Sequence, residues 1–219
     1  MKEQVSDFIA DKYSKLVVIP NFHNVQITKG FCVHRETVKV LYFSNVMVEK
    51  GALDFLAVAA NILKRTYRKK VEFHMAGPLL GFSAERLDHE LTRLGLQNQS
   101  CLTIHGSVYG EDKDRLLNDC DILLFPSVYV TEAFPLVVLE AMASGLHVIA
   151  YDHNYMADIL SNGRGRLIPA GDVDAMTLSV EELINGDKLP ELQDNSRSIA
   201  KEFDIESYQT RVRLAVLES

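Results

Sequence analysis

Residues Thr131 to Gly145 read TEAFPLVVLEAMASG, and they follow DILLFP at Asp121 to Pro126. The earlier run is short, apolar and closed by a proline, the pattern of a buried strand. Pro135 suits the first turn of a helix, and Gly145 suits its left-handed C-terminal cap. Between them, Leu136 to Met142 is apolar on every side except at Glu140, which predicts a buried helix. An unpaired ionised carboxylate there would cost on the order of several kcal/mol, so Glu140 is expected to have a polar partner. Strand, turn, helix and capping glycine in this order are one unit of an α/β fold.

The rest of the chain repeats that unit. Apolar runs recur at Val38–Phe43, Val71–Ala76, Cys101–Ile104, Ile122–Phe125, Leu146–Ala150 and Arg166–Ile168. Helical patterns separate them at Gly51–Thr66, Ser83–Leu94, Glu111–Cys120, Pro135–Ser144, Tyr155–Leu160 and Val173–Ile184. Strands apolar on both faces, alternating with helices, predict a doubly wound, Rossmann-like parallel sheet of about six strands with helices on both faces. Upstream, Lys2–Tyr13 reads as a short amphipathic helix, Leu16–Ile19 as a brief strand, and the polar stretch to Glu36 as a linker or hinge. Leu189–Ser219 reads as one or two closing helices broken near Phe203-Asp204. The expected organisation is thus a leading segment over 1–36, a ligand-binding α/β domain over 37–186 and closing helices over 187–219.

Bulk properties exclude several classes. The 219 residues are 47% hydrophobic and 24% charged, enough for a sizeable core. A net charge of −7 argues against non-specific nucleic-acid binding. The basic run Lys64-Arg65 with Arg68-Lys69-Lys70 reads as a solvated helix end. Cys32, Cys101 and Cys120 form neither a disulfide framework nor a zinc motif, and the histidines show no metal spacing. The first residues lack the apolar core of a signal peptide, and no run reaches membrane-spanning length. P-loop, GxGxxG and GxSxG motifs are absent.

Ligands of such sheets sit beyond the carboxyl ends of the strands. Four candidate places fall there: Ser44-Asn45 with Lys50 and Gly51 after the first strand, Gly77 after the second, His105-Gly106 after the third, and Ser127 to Phe134 after the fourth. A cation at a helix N-terminus is mildly disfavoured, so Lys50 either meets a bound phosphate or is neutralised by Glu49. Gly77 and Gly106 permit close backbone approach. Glu132 precedes the helix whose first-turn N–H groups, at Leu136 and its successors, form an anion site. An anion at the helix end with the Glu140 carboxylate farther along outlines a cradle for a nucleotide sugar. His105, His147 and His153 read as packing or loop residues, and Asp121 and Asp152 as turn or cap residues.

These pieces, in this order, resemble the C-terminal, donor-binding domain of a family-four glycosyltransferase with the two-domain GT-B fold. The resemblance is carried by VIPN (Val18–Asn21), VEKG (Val48–Gly51), AGP (Ala76–Pro78), HGSV (His105–Val108), LLFPS (Leu123–Ser127), TEAFPLVVLEAMASGLHVIAYD (Thr131–Asp152) and GRGRLIPAGD (Gly163–Asp172). It implies a retaining hexosyl transfer from a nucleoside-diphosphate sugar (UDP-, GDP- or ADP-linked) to a glycan or lipid-linked acceptor, with no required metal. By it, Glu132 contacts the transferred sugar as the catalytic residue. Lys50 contacts the donor diphosphate, Glu140 the ribose hydroxyls, and the backbone at Phe134 and Leu136 the pyrophosphate or sugar. Asn45, Gly77, His105 and Gly106 complete the donor site, the last two beside the base. Ser44-Asn45 stands where Gly-Arg is common, Pro135 removes one N–H donor, and Asn154-Tyr155 replaces a Gly-Gly pair.

The resemblance also implies that the acceptor-binding N-terminal domain, or a partner chain supplying it, is missing, with only its last helix present at Lys2–Tyr13. The expected place is the cytoplasm, with peripheral contact at the inner membrane face through the full-length enzyme. A non-catalytic module that kept the fold, and half of a nucleotide-sugar epimerase, are the alternative readings.

Overall fold

The computed structural model describes residues 19–25, 36–132 and 134–217. The expected helix over Lys2–Tyr13 lies outside them, as do 16–18 of the expected first strand and 26–35 of the expected linker. Among the described residues six strands make one sheet: β1 (Thr37–Phe43), β2 (Lys70–Ala76), β3 (Leu102–Gly106), β4 (Ile122–Phe125), β5 (His147–Tyr151) and β6 (Arg166–Ile168). All neighbours are parallel and the order is β3-β2-β1-β4-β5-β6. The helices between and after them are α1 (Ala52–Leu63), α2 (Ala84–Leu94), α3 (Gly110–Asp119), α4 (Leu136–Ser144), α5 (Met156–Leu160), α6 (Val173–Asn185), α7 (Leu189–Ala200) and α8 (Ile205–Leu217), with a 3₁₀ turn at Lys201–Phe203.

Period-two alternation along the central strands sorts side chains into two cores. Val40 and Tyr42 of β1, Ile122 and Leu124 of β4, and Ile149 and Tyr151 of β5 pack with Phe55 and Leu56 of α1 and Met176 and Val180 of α6. Leu41, Leu123, Phe125, Val148 and Ala150 face the other way, onto Leu117 of α3 and Val138, Leu139 and Met142 of α4. Each fully buried leucine or isoleucine contributes about 1.5–3 kcal/mol through burial. Gly145 closes α4 in the left-handed region, as expected, and two side chains cap helix N-termini: Ser83 accepts a hydrogen bond from Arg86 N–H and Asp172 one from Ala175 N–H.

Two expectations need correction. The strand read as buried at Cys101–Ile104 is β3, an edge strand whose Thr103, Ile104 and His105 are exposed. Its apolar letters gave no hint that the chain would place it last in the row. Asp121, read as a turn or cap residue, is buried and structural. Its carboxylate accepts from Lys39 N–H at 2.9 Å and from the Gln193 amide at 3.2 Å, joining β1 to α7. The basic run at the end of α1 is solvent-facing, as expected, yet it reaches α6: Arg65 pairs with Glu181, Arg68 with Asp187, and Lys69 Nζ donates to the Gly186 carbonyl.

Asp121→Ala would leave the partly buried Lys39 amide and the buried Gln193 side chain without this acceptor, at a cost of about 2–4 kcal/mol. Urea unfolding should show it as a lowered midpoint with an unchanged slope. A second test concerns His147, at the start of β5, which is buried and whose Nδ1 has no hydrogen-bond partner among the described residues. Burial, aided by the Arg166 charge, pushes its pKa from 6.5 to about 4. Between those values the native state holds fewer protons than the unfolded chain. Stability is therefore complete above pH 6.5 and falls as pH drops towards 4. His147→Leu should flatten that acid-side decline, measured as urea midpoints across the same range.

Candidate functional site

The strand order reverses between β1 and β4, which opens a crevice at their carboxyl ends. After β1 the chain makes a tight turn and enters α1 through Gly51, whose φ is +78°. A Cβ at Gly51 would lie 2.1 Å from the Pro126 carbonyl oxygen, so this contact between the two loops admits glycine alone. Val128 N–H donates to the Glu49 carbonyl at 2.8 Å and fastens the same loops once more. That seam carries Lys50 to the loop after β4. Its ammonium pairs with the Glu132 carboxylate and stands 4.4 Å from the centre of the Tyr129 ring. The two charged side chains are only 12% and 18% exposed, so solvent screens their attraction weakly. Lys50 is thus neutralised by Glu132, 82 residues on, rather than by its neighbour Glu49.

A cavity of about 650 Å³ is lined by Ser44, Asn45, Gly77, Lys113, Leu136 and Glu140, among others. Its wall extends the sheet by one step. Ser44 N–H donates to the Ala76 carbonyl, Val46 N–H to the Pro78 carbonyl, and Gly77 N–H to the Gly106 carbonyl at 2.7 Å. Gly77 is forced by this approach, since a Cβ there would fall 1.8 Å from the Ser44 carbonyl oxygen. The Asn45 carbonyl is fixed by the Tyr42 hydroxyl at 2.7 Å, and burial raises the pKa of that hydroxyl far above its usual value.

Helix α4 enters the cavity by its N-terminus. Pro135 stands just before the helix, at φ −70° and ψ 118°, instead of in its first turn as expected. The helix is not apolar and buried on every side either: Leu136 is 46% exposed at the cavity wall. Glu140, one turn on, has the polar partner its position demanded. Its Oε1 accepts from Lys113 Nζ at 2.7 Å, across from α3. Of the first-turn amides of α4, that of Val138 donates to the Pro135 carbonyl at 3.1 Å, and the helix N-terminus carries the positive end of the helix dipole.

The remaining candidates are arranged around this centre. Phe134 holds the loop in place: its ring lies 5.7 Å from that of Phe203, and its carbonyl accepts from the Asn21 amide at 3.4 Å. His105 is on the same rim, but its side chain lines a neighbouring cavity with Ser107, Tyr109 and Asp112. It stacks on His74, with Nε2 3.0 Å from His74 Nδ1. Burial lowers the pKa of both imidazoles, and for His74 the proximity of His105 adds to it. Gly106, at φ +68°, turns the chain out of β3. Sequence reasoning missed Lys113, and it singled out Tyr129 only as part of Ser127 to Phe134. Lys113 sits in GEDKDR, which reads as a solvated face, and nothing local shows that one of its charges turns towards α4. No group of three or more His, Cys, Asp or Glu among the described residues comes together as a metal site.

Comparisons with known proteins bear on the fold and the family. The computed fold matches sucrose-phosphate synthase from Thermosynechococcus elongatus with a TM-score of 0.77 and 21% identity, over 99% of this chain and 55% of that one. It matches Anabaena HepE in complex with UDP-glucose at a TM-score of 0.70 and 21% identity, over 86% of this chain and 50% of that one. Among curated proteins, the amylovoran biosynthesis glycosyltransferase AmsK of Erwinia amylovora is 31% identical over 41% of this chain and 23% of its own length. An uncharacterised glycosyltransferase of Methanocaldococcus jannaschii is 25% identical over 74% of this chain and 43% of its own length. The chain therefore spans about half of the solved structures it matches, and the matched stretches are less than half of these curated relatives. The family model described as glycosyl transferases group 1 matches residues 28–203, most of the chain, and with the fold just described it makes this protein a member of that family.

Proposed function

We propose that the chain binds a nucleoside-diphosphate sugar in the crevice between β1 and β4 and serves as the donor half of a retaining glycosyltransferase. The observation that carries the reading is the Lys50–Glu132 pair, whose glutamate lies in the loop that leads into α4, with Glu140 one turn into the helix. The family membership supports it, as does the fact that HepE, similar in fold, is found in complex with UDP-glucose.

In this reading the first-turn amides of α4 and the backbone at Phe134 receive the pyrophosphate, and Lys50 leaves Glu132 for a phosphate oxygen. Glu132 is then free to accept a hydroxyl of the transferred sugar. Glu140 accepts from the ribose, and Asn45 and Gly77 let the donor lie close to backbone. The backbone of His105-Gly106 lies by the base. Negative charge developing on the leaving diphosphate is stabilised by Lys50 and by the helix dipole, both in place before the reaction. The acceptor, a glycan or lipid-linked sugar, is held by an N-terminal domain or partner chain at the cytoplasmic face of a membrane. By itself the chain binds donor but transfers poorly.

Calorimetric titration with UDP, GDP and ADP tests the reading. Selective binding of one nucleotide is expected, weakened about tenfold or more by Lys50→Ala and by Glu140→Ala in chains that remain folded. Equal affinity in both variants would overturn the assignment. Adding the N-terminal half of a relative in the same family should raise transfer to an acceptor above that of the chain alone, measured as product formed from the bound donor.

A further inference from the structure

Helix α3 begins with alternating charges, and most of them face water. Arg115 pairs with Glu111 and Asp112 at side-chain exposures of 72%, 87% and 77%. Lys113 turns the other way. Its side chain is 28% exposed, and its ammonium reaches Glu140. Among the described residues lining the cavity, Lys113 is the cation and Glu140 the anion. Asn45, which ends the β1 side of the wall, adds no charge. A diphosphate at the α4 N-terminus would bring negative charge into a wall that is neutral overall. Lys50 is engaged with Glu132.

A lysine ammonium has three N–H donors. Glu140 Oε1 takes one of them at 2.7 Å, and the ammonium remains within the cavity wall. It can therefore donate to a second oxygen without giving up Glu140. We propose that Lys113 is a donor-binding residue: Glu140 holds its ammonium at the wall, and it donates to a phosphate oxygen of the nucleoside diphosphate. Lys113 and Glu140 then read a phosphate and the adjoining ribose as one unit. The proposal rests on the donor-site reading above and extends it to a residue of a different helix.

The test is a double-mutant cycle on UDP binding, followed by calorimetry in the unaltered chain, Lys113→Met, Glu140→Gln and the double variant. GDP or ADP replaces UDP if the unaltered chain selects it. A hydrogen bond to a charged group predicts about a tenfold or greater loss for Lys113→Met. The decisive arm is the Glu140→Gln background, where Lys113→Met should still weaken binding by a similar factor, and Lys113→Arg should restore most of it. Unfolding midpoints check that each variant is folded. No further loss in that background would mean that Lys113 acts only by holding Glu140, and the proposal would fail. An unaltered chain that binds none of the three nucleotides would overturn the donor-site reading itself, and Lys113 with it.

Discussion

The backbone contact between Gly51 and Pro126 is the constraint on which the site depends. It joins the loops that follow β1 and β4, the two strands between which the sheet reverses direction. The contact leaves no room for a side chain, so the turn after β1 lies directly on the loop after β4. Lys50 precedes that glycine and Glu132 closes the opposing loop. Their pairing follows from the seam. A similar economy operates at Gly77, where backbone meets backbone at Ser44 and extends the sheet just past its end.

The electrostatics of the crevice follow one pattern. Each acidic side chain at its centre is matched by a lysine from a different element, Glu132 by Lys50 and Glu140 by Lys113. Half-buried carboxylates left alone would lose hydration without compensation. With the lysines in place, the charges of Glu132 and Glu140 are balanced. In the proposed reading the same lysines are the groups an incoming diphosphate recruits, because phosphate, like carboxylate, accepts charge-assisted hydrogen bonds from an ammonium. Donor binding, so read, exchanges the anionic partner of Lys50 and adds a second one to Lys113. In that reading the helix dipole of α4 favours the phosphate.

The structure also separates residues that lie close in the chain. His105 and Gly106 are adjacent, yet the glycine carbonyl belongs to the wall around Gly77, while the imidazole stacks on His74 over a neighbouring cavity. Glu111, Asp112 and Lys113 are consecutive, yet only the lysine is turned towards α4. Such divisions come from the rotation of side chains about a strand or helix, once that element has been placed against its neighbours.

The sequence by itself determined the alternation of strands and helices. Apolar periodicity, capping residues and glycines act over a few positions and are visible as letters. Pro135 and Gly145 bracketed α4 to within one residue, and the lone Glu140 in an apolar helix announced that a partner must exist. Which partner it has was decided only in three dimensions, since Lys113 lies 27 residues earlier in a stretch that reads as solvated. The edge position of β3, the burial of Asp121 against Lys39 and Gln193, and the capture of Lys50 by Glu132 are of the same kind. Each depends on the order of strands in the sheet. That order is set by long-range packing of two cores, and no single segment encodes it.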